Sequence, residues 1–384
     1  MLHDYNKESL ELHKVYHGKI GIITKVPMEN RDDLSRAYTP GVAEVCKEIA
    51  KDVEHAREYT LKRNTVAIVS DGSAILGLGN LGSYAAIPVM EGKAAILKTF
   101  ANVDAFPICL ATQDTEEIIK AVTYIAPVFG AINLEDISAP RCFEIEERLR
   151  KELPIPVMHD DQWGTATVVL AGLTNALKVT ERHKLNRYDI RIVINGVGSA
   201  GVAIARLLLV SGYTNILFCD SKGIIFDERG DEMNKEKKEL ITKSTADVLR
   251  GALEDAIRGA DVFIGVSKAG ALTQAMAISM NKDAIVFALA NPVPEIMPDV
   301  ARKAGVAVIA TGRSDFPNQL NNSLIFPGLF KGMLDNNIKQ FDTEMFVRAA
   351  YALASCVQEP THDMILPTMF DRSVVDVVAK SVLE

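Results

Sequence analysis

The chain has 384 residues, of which 48% are hydrophobic and 24% are charged, a composition typical of globular proteins with a substantial core. This length exceeds that of one ordinary domain, so we predict two. The formal net charge is -8, and the 42 basic residues form no cluster, which argues against nucleic acid as a partner.

The cysteines and the N-terminus predict a cytoplasmic location. The five cysteines are widely spaced and contain no C-x-x-C pair, so we expect reduced thiols. Residues 1–9 do not resemble a signal peptide, and no uncharged apolar stretch reaches the roughly 18 residues that span a membrane. We therefore expect no membrane contact.

Short apolar runs alternate with helical patterns through most of the chain, as in parallel sheets that are covered by helices. The first series of predicted strands is followed along the chain by a second. The first comprises residues 65–70, 105–110, 129–134 and 155–158, with helices at 115–126 and 141–151. The second comprises residues 190–194, 215–219, 261–266, 284–289 and 306–310.

An Ala-, Leu- and Val-rich helix at residues 165–179 connects the two series. We place the domain boundary there, between domains at residues 1–163 and 164–384. From about residue 331 the strand pattern stops, and two helices are predicted at residues 342–356 and 371–383. These helices could pack on either domain.

A glycine-rich segment follows the first strand of the second series. The order strand, turn and apolar helix is the context in which G-x-G-x-x-G predicts a dinucleotide site, because glycines let a pyrophosphate approach the backbone at a helix N-terminus. The alternative is a turn that only packs tightly. The predicted cofactor contacts in this segment are Gly196, Gly198, Ser199, Ala200 and Gly201.

Asp220 stands at the end of the next predicted strand, where a carboxylate can accept hydrogen bonds from ribose hydroxyls, which slightly favours NAD. Ser221 is a further predicted cofactor contact. Lys222 follows it and Lys237 lies nearby, so a 2′-phosphate could be accommodated and NADP stays open. A second glycine run, at residues 77–82, lacks a following strand that ends in an acid, and we interpret it as a turn near the substrate.

Two pairs of acids follow neighbouring strands of the first series: Glu135 with Asp136, and Asp160 with Asp161. Parallel strands bring such residues to the same sheet edge, where the carboxylates would repel one another unless a cation lay between them. Oxygen ligands without clustered Cys or His favour Mg²⁺ or Mn²⁺. The alternative is that Asp136 and Asp161 cap the helices that follow.

Two further residues are candidates for proton transfer. Lys93 is flanked by small and apolar residues, and a desolvated lysine loses basicity and can act as a general base. The alternative is a surface lysine whose stem lies on apolar neighbours. Tyr38 precedes a Pro-Gly turn, which would hold its phenol in place. The alternative is an ordinary half-buried tyrosine.

Five segments, in order, resemble motifs of the malic enzyme family and extend over most of the chain. They are YTPGVA at residues 38–43, LGLGNLG at 76–82, NLED at 133–136, HDDQ with GTA at 159–166, and NN with IFPG at 321–328. The resemblance implies an N-terminal parallel-sheet domain for substrate and metal and a Rossmann-type NAD(P) domain. It also implies oxidative decarboxylation of (S)-malate to pyruvate and CO₂.

The resemblance also implies roles for individual residues. Glu135, Asp136 and Asp161 would hold the metal, and Asp160 would support Lys93. Lys93 would take the proton of the malate hydroxyl, and Tyr38 would protonate the enol of pyruvate. Asn291 and Asn322 match positions that bind the substrate carboxylate, with Asn291 also near the cofactor, although either could instead stabilise a turn.

Residues 72–75 depart from the family pattern, because many larger members have an arginine there that clamps a substrate carboxylate. Short bacterial-type members resemble dimers in which one subunit completes the site of the other, so we predict a homodimer. The alternative function is an oxaloacetate decarboxylase with little redox activity, since the same acids and lysine could catalyse loss of CO₂ alone.

Overall fold

The computed structural model describes residues 4–383, apart from the side chains of residues 231 and 232. Two sheets organise the chain, one with four strands and one with six, and helices lie between most successive strands. The predicted α/β class is therefore confirmed. Within residues 4–383, no helix is both long and apolar enough to cross a bilayer.

The four-stranded sheet is entirely parallel, in the order β2-β1-β3-β4. Its strands are β1 (Thr65–Ser70), β2 (Asp104–Cys109), β3 (Ala131–Leu134) and β4 (Val157–His159). The inner strands β1 and β3 are buried along their whole length, as expected where helices cover both faces. Because the strands are parallel, Glu135 after β3 and Asp160 after β4 emerge at the same edge.

Seven helices of the described chain precede or surround this sheet. They are α1 (Tyr5–Tyr16), α2 (Arg31–Ala37), α3 (Val42–Lys51), α4 (His55–Tyr59), α5 (Ser83–Ile96), α6 (Thr115–Ile125) and α7 (Arg141–Glu152). Helix α5 contains Pro88 and continues into a wider π-helical turn at Leu97–Ala101. It packs on β1 and β2 and carries Lys93.

The six-stranded sheet has the order β10-β9-β8-β5-β6-β7 and is parallel except for β7, which runs antiparallel to β6. Its strands are β5 (Ile192–Asn195), β6 (Ile216–Asp220), β7 (Gly223–Ile224), β8 (Val262–Gly265), β9 (Ile285–Ala288) and β10 (Val308–Thr311). The strand order reverses at β5, between β6 and β8. Ligands of doubly wound sheets bind at such a reversal.

The longest helix described, α8 (Asp160–Val179), joins the two sheets. The remaining helices are α9 (Ser199–Val210), α10 (Lys235–Lys243), α11 (Leu253–Ile257), α12 (Gln274–Ile278), α13 (Pro298–Lys303), α14 (Phe326–Asp335), α15 (Thr343–Ser355) and α16 (Ser373–Ser381). One hydrophobic cluster extends from Val66 in β1 through Leu170 in α8 to Ile192 in β5. The two sheets therefore share a core.

The C-terminal helices pack on α8 and return towards the first sheet. Helix α15 lies along α8, and α14 contacts the short helical turn before β1. The Arg57 guanidinium donates to the Leu334 carbonyl, and that of Arg150 to the Phe341 carbonyl. These contacts attach the end of the chain to its first half.

Most predicted strands are present with their ends shifted by one or two residues, and the predicted helix at residues 165–179 begins earlier, at Asp160. The predicted boundary between residues 163 and 164 therefore falls inside α8. Helices α5 and α14 were not predicted. In α5 the residues are apolar on every side, and Pro88 and Gly92 obscure the helical pattern.

Candidate active site

A cavity of about 660 Å³ lies between the two sheets and collects most of the predicted site residues. It is bordered by α5, the ends of β3 and β9, and the N-termini of α8 and α9. Predicted site residues that line it are Lys93, Glu135, Asp136, Asp161, Ser199, Ala200, Asn291 and Asn322. Residues far apart in the sequence thus face one cavity.

Three carboxylates meet at one end of this cavity. Glu135 and Asp136 follow β3, and Asp161 lies in the first turn of α8. One oxygen from each lies within 4.8 Å of the others. The Asp136 backbone has a left-handed conformation (φ 54°), and its N–H donates to Asp161 Oδ2 at 2.8 Å. This bend turns two consecutive acids towards the same point.

The three acids fit a hard divalent cation. Burial, together with mutual repulsion, raises the pKa of Glu135 to about 7 and that of Asp136 to about 8, so their charges are costly without a counter-ion. Among the described residues, the buried Asp136 Oδ2 has no hydrogen-bond partner. An all-oxygen ligand set is the kind that Mg²⁺ and Mn²⁺ prefer.

Lys93 projects from α5 into the same cluster. Its ammonium forms an ion pair with Asp160, lies 3.0 Å from Glu135 Oε1 and stands 4.5 Å from the centre of the Phe326 ring. Burial alone would lower the pKa of Lys93, but the carboxylates of Asp160, Glu135 and Asp161 outweigh it and raise the pKa. The prediction that burial lowers the basicity of Lys93 is therefore wrong in the absence of a bound cation.

Asp160 is fully buried beneath Lys93. Burial raises its pKa to about 7, although Lys93 opposes this shift. A Cβ at Gly164, one turn later in α8, would overlap the Asp160 carboxylate and would approach the Asn322 side chain at 3.1 Å. The glycine in the segment GTA thus leaves space for the carboxylate and lets Asn322 come close to it.

A network around Glu146 supports the start of α8, and the sequence analysis did not identify it. Glu146 Oε1 accepts the His159 N–H at 2.9 Å, and Oε2 accepts from Gln162 at 3.0 Å and Trp163 Nε1 at 3.1 Å. The Glu146 side chain is buried in α7. The available signal was one acid on the apolar face of an otherwise charged helix.

The glycine segment forms the turn between β5 and α9, at the reversal of strand order. A Cβ at Gly196 (φ 109°) would meet the Val266 carbonyl oxygen at 2.5 Å, and a Cβ at Gly201 would overlap the Gly196 carbonyl. No side chain among the described residues caps the N-terminus of α9, which follows Gly198. The turn therefore fits the pyrophosphate of a dinucleotide.

Asp220 ends β6 beside two cations. Its carboxylate accepts from Arg229 at 3.0 Å, from Lys237 at 2.8 Å and from the Lys222 N–H at 2.9 Å. Burial would raise the pKa of Asp220, but these donors together lower it. Ser221 is exposed in the following turn. The acid thus stays ionised beside positive charge.

Asn291 faces the cavity from the loop after β9, and Asn322 from the start of a short 3-10 helix (Asn322–Leu324) after β10. A Cβ at Gly77 would meet the Asn291 carbonyl at 2.5 Å, so the glycine run at residues 77–82 packs against the Asn291 loop. Tyr38 lies elsewhere. It directly follows α2, its side chain is 65% exposed, and it is outside the cavity that holds Lys93.

Fold and site together define an NAD(P)-binding α/β oxidoreductase with a carboxylate metal centre. Models of two family domains match the chain: malic enzyme, N-terminal domain, over residues 17–150, and malic enzyme, NAD binding domain, over residues 163–384. The chain belongs to the malic enzyme family.

Similar proteins agree with this assignment over nearly the full length. The chain is 53% identical to the bifunctional malic/malolactic enzyme of Bacillus subtilis, covering 98% of this chain and 92% of the relative. It is 55% identical to an NAD-dependent malic enzyme of Geobacillus stearothermophilus, covering 96% and 76%. A crystal structure of an NAD-dependent malic enzyme from Thermotoga maritima superposes with a TM-score of 0.93 at 47% identity, covering 97% and 98%.

Proposed function

We propose that this protein oxidises and decarboxylates (S)-malate to pyruvate and CO₂ while it reduces NAD(P)⁺. The observation that carries the proposal is the single cavity in which the acid cluster, Lys93 and the dinucleotide turn meet. Within this proposal, residues 1–163 bind substrate and metal, and residues 164–384 bind the dinucleotide. None of the five cysteines forms a disulfide, as is usual in the cytoplasm, and we propose that location.

A divalent cation held by Glu135, Asp136 and Asp161 would supply Lewis-acid polarisation of the C2 oxygen. Lys93 acts as the neutral amine, because a bound cation would offset the carboxylates that otherwise raise its pKa. It takes the proton of the C2 hydroxyl as C2 passes a hydride to NAD(P)⁺, and Asp160 holds the ammonium that results. Asn291 and Asn322, which line the same cavity, orient the substrate. Phe326, against the Lys93 ammonium, excludes water from that side.

Tyr38 protonates C3 of the enol left after CO₂ loss, and we propose that it acts in the site of a partner subunit. In its own subunit Tyr38 is exposed and lies outside the cavity. Large apolar side chains of the same N-terminal region, such as Ile22, Ile23 and Val53, are also exposed. A homodimer interface would cover such a surface.

The direct test is an assay of the purified protein with malate, each nucleotide and either Mg²⁺ or Mn²⁺. We expect reduced nucleotide and pyruvate to appear in equal amounts, and a chelator to stop both. Release of CO₂ from oxaloacetate without any malate-dependent nucleotide reduction would contradict the proposal and favour the oxaloacetate decarboxylase.

A further inference from the structure

The segment after α1 places a lysine at the rim of the active-site cavity. The Lys19 N–H donates to Glu91 Oε2 at 3.1 Å, and the Lys19 ammonium donates to the Pro88 carbonyl at 2.6 Å. Both partners belong to α5, the helix that carries Lys93. The ammonium also lies 3.9 Å from the position that a Cβ of Gly92 would occupy. Lys19 is thus held against α5, and it lines the same cavity as Lys93.

The cavity otherwise lacks positive charge for a dicarboxylate. Its described lining contains no arginine, and its basic residues are His13, Lys19 and Lys93. Lys93 is already paired with Asp160 and Glu135. Even with a divalent cation bound, the four acids would exceed the positive charges around them. Asn291 and Asn322 can donate hydrogen bonds to the carboxylate of malate farthest from C2, but their amides are neutral, so a further cation would strengthen binding at that end.

Of the two remaining basic residues, Lys19 suits this role better. His13 Nδ1 lies 2.7 Å from the Ser9 carbonyl oxygen, so Nδ1 carries the ring proton. The Ser9 carbonyl takes that proton, so Nδ1 cannot donate it to a carboxylate. Lys19 has three ammonium protons, and the Pro88 carbonyl takes one of them, so the others can bind an anion.

We propose that Lys19 binds the substrate carboxylate at C4 and thereby selects a dicarboxylic over a monocarboxylic 2-hydroxy acid. The proposal deepens the malate function proposed above and rests on it.

The test compares Lys19→Met with Lys25→Met. Lys25 belongs to the same N-terminal region but pairs with Asp104 at 3.0 Å and does not line the cavity, so its loss removes the same charge elsewhere. We expect Lys19→Met to raise the KM for malate about 10- to 100-fold, as for a lost charge-assisted hydrogen bond, with a much smaller change in kcat. Lys25→Met should keep the wild-type KM.

Oxalate separates loss of the C4 contact from general damage, because it can chelate a metal but has no second, distant carboxylate. The Ki of oxalate and the KM for the nucleotide should stay unchanged in Lys19→Met, and Lys19→Arg should restore most of the malate affinity. A malate KM in Lys19→Met no higher than in Lys25→Met, or an equal rise in the oxalate Ki, would overturn the proposal. Failure of the malate function itself would show instead as an inactive wild type.

Discussion

The chemistry of the site depends on how its buried carboxylates are charged. Glu135, Asp136 and Asp160 have pKa values raised to about 7, 8 and 7, because burial disfavours the anions and the acids repel one another. Lys93 compensates one of these charges. At neutral pH the remaining charge has to be met by a cation or by protons.

This arrangement predicts an unusual pH dependence of stability for the metal-free protein. An acid whose pKa is higher in the folded state binds its proton more tightly there, so folding loses stability as pH rises from about 4 to 8. Burial lowers the pKa of His159 to about 3, which acts in the opposite direction, but only below about pH 6.5. Between pH 6.5 and 8.5 the Tm in a chelator should therefore fall.

Mn²⁺ should reverse this fall, because the cation replaces the protons on the acids. The measurement is a set of thermal melts at several pH values, with chelator or with Mn²⁺. Asp136→Asn should flatten the dependence, whereas Glu144→Gln, at an exposed acid of α7, should not. A metal-free Tm that stays level or rises over this range would show that the acids are not held in repulsion.

The position of Lys237 predicts that its substitution affects kcat/KM for NADP and for NAD differently. Its ammonium neutralises Asp220 at the end of β6, where an adenosine ribose would bind, and a 2′-phosphate would need that positive charge. We expect Lys237→Gln to lower kcat/KM for NADP about 10-fold while that for NAD changes little. Lys238→Gln, at the next and exposed residue of α10, is the control. Equal losses with both nucleotides would contradict this role.

At the scale of elements, the junction of β4 and α8 determines where Asp160 and Asp161 stand. Glu146 in α7 binds the backbone before them at His159 and the side chains after them at Gln162 and Trp163. Asp160 and Asp161 therefore lie at the N-terminus of α8, which α7 holds in place through Glu146.

Glu146→Ala should therefore weaken metal binding, although Glu146 is not one of the proposed metal ligands. We expect Mn²⁺ affinity to drop about 10- to 100-fold, as when an outer partner of a ligand is lost, and the Tm to fall as well. The control is Glu147→Ala. Glu147 is the next residue of α7, and its exposed carboxylate pairs with Lys151. If Mn²⁺ affinity in Glu146→Ala equals that of the control, the network serves stability alone.

The strands and the acids that follow them could be predicted from the sequence because a short apolar run that ends in a polar residue is a local pattern. Helix α5 could not, since it is apolar on every side and its Pro88 is compatible with a helix only in its packed context. The early start of α8 was also missed, because Asp161 looked like a helix cap but lies within the first turn.

The site was predictable only where residues follow strands or match a family motif. The pKa of Lys93 depends on acids from β3 and α8, so its rise could not be derived from its own neighbours in sequence. Lys19 lies within no recognised motif, and its place beside Pro88 is set by tertiary packing. Tyr38 lies outside this cavity, so its proposed role requires a second subunit.

At the scale of the whole molecule, the two sheets form one cavity, and Tyr38, the proposed proton donor for C3, does not line it in its own subunit. Mixing two inactive variants tests whether a partner supplies it. In a hybrid of Lys93→Ala with Tyr38→Phe, one site has an intact Lys93 and receives an intact Tyr38 from the other subunit. Random pairing should therefore restore about a quarter of wild-type activity.

The control mixture joins Lys93→Ala with Asp161→Asn, two changes in the same cavity. Both changes act within the subunit that carries them, so no hybrid site is intact and activity should stay at the level of the separate variants. If Lys93→Ala with Tyr38→Phe gives no more activity than this mixture, after the subunits are shown to exchange, Tyr38 does not act across the interface.

The claim on which the account depends is that Glu135, Asp136 and Asp161 hold one divalent cation in the cavity that also holds Lys93. A titration with Mn²⁺, followed by electron paramagnetic resonance, tests it most directly. The account expects one tight ion per chain in the wild type and at least about 100-fold weaker binding in Asp161→Asn. An unchanged Mn²⁺ titration in that variant would contradict it.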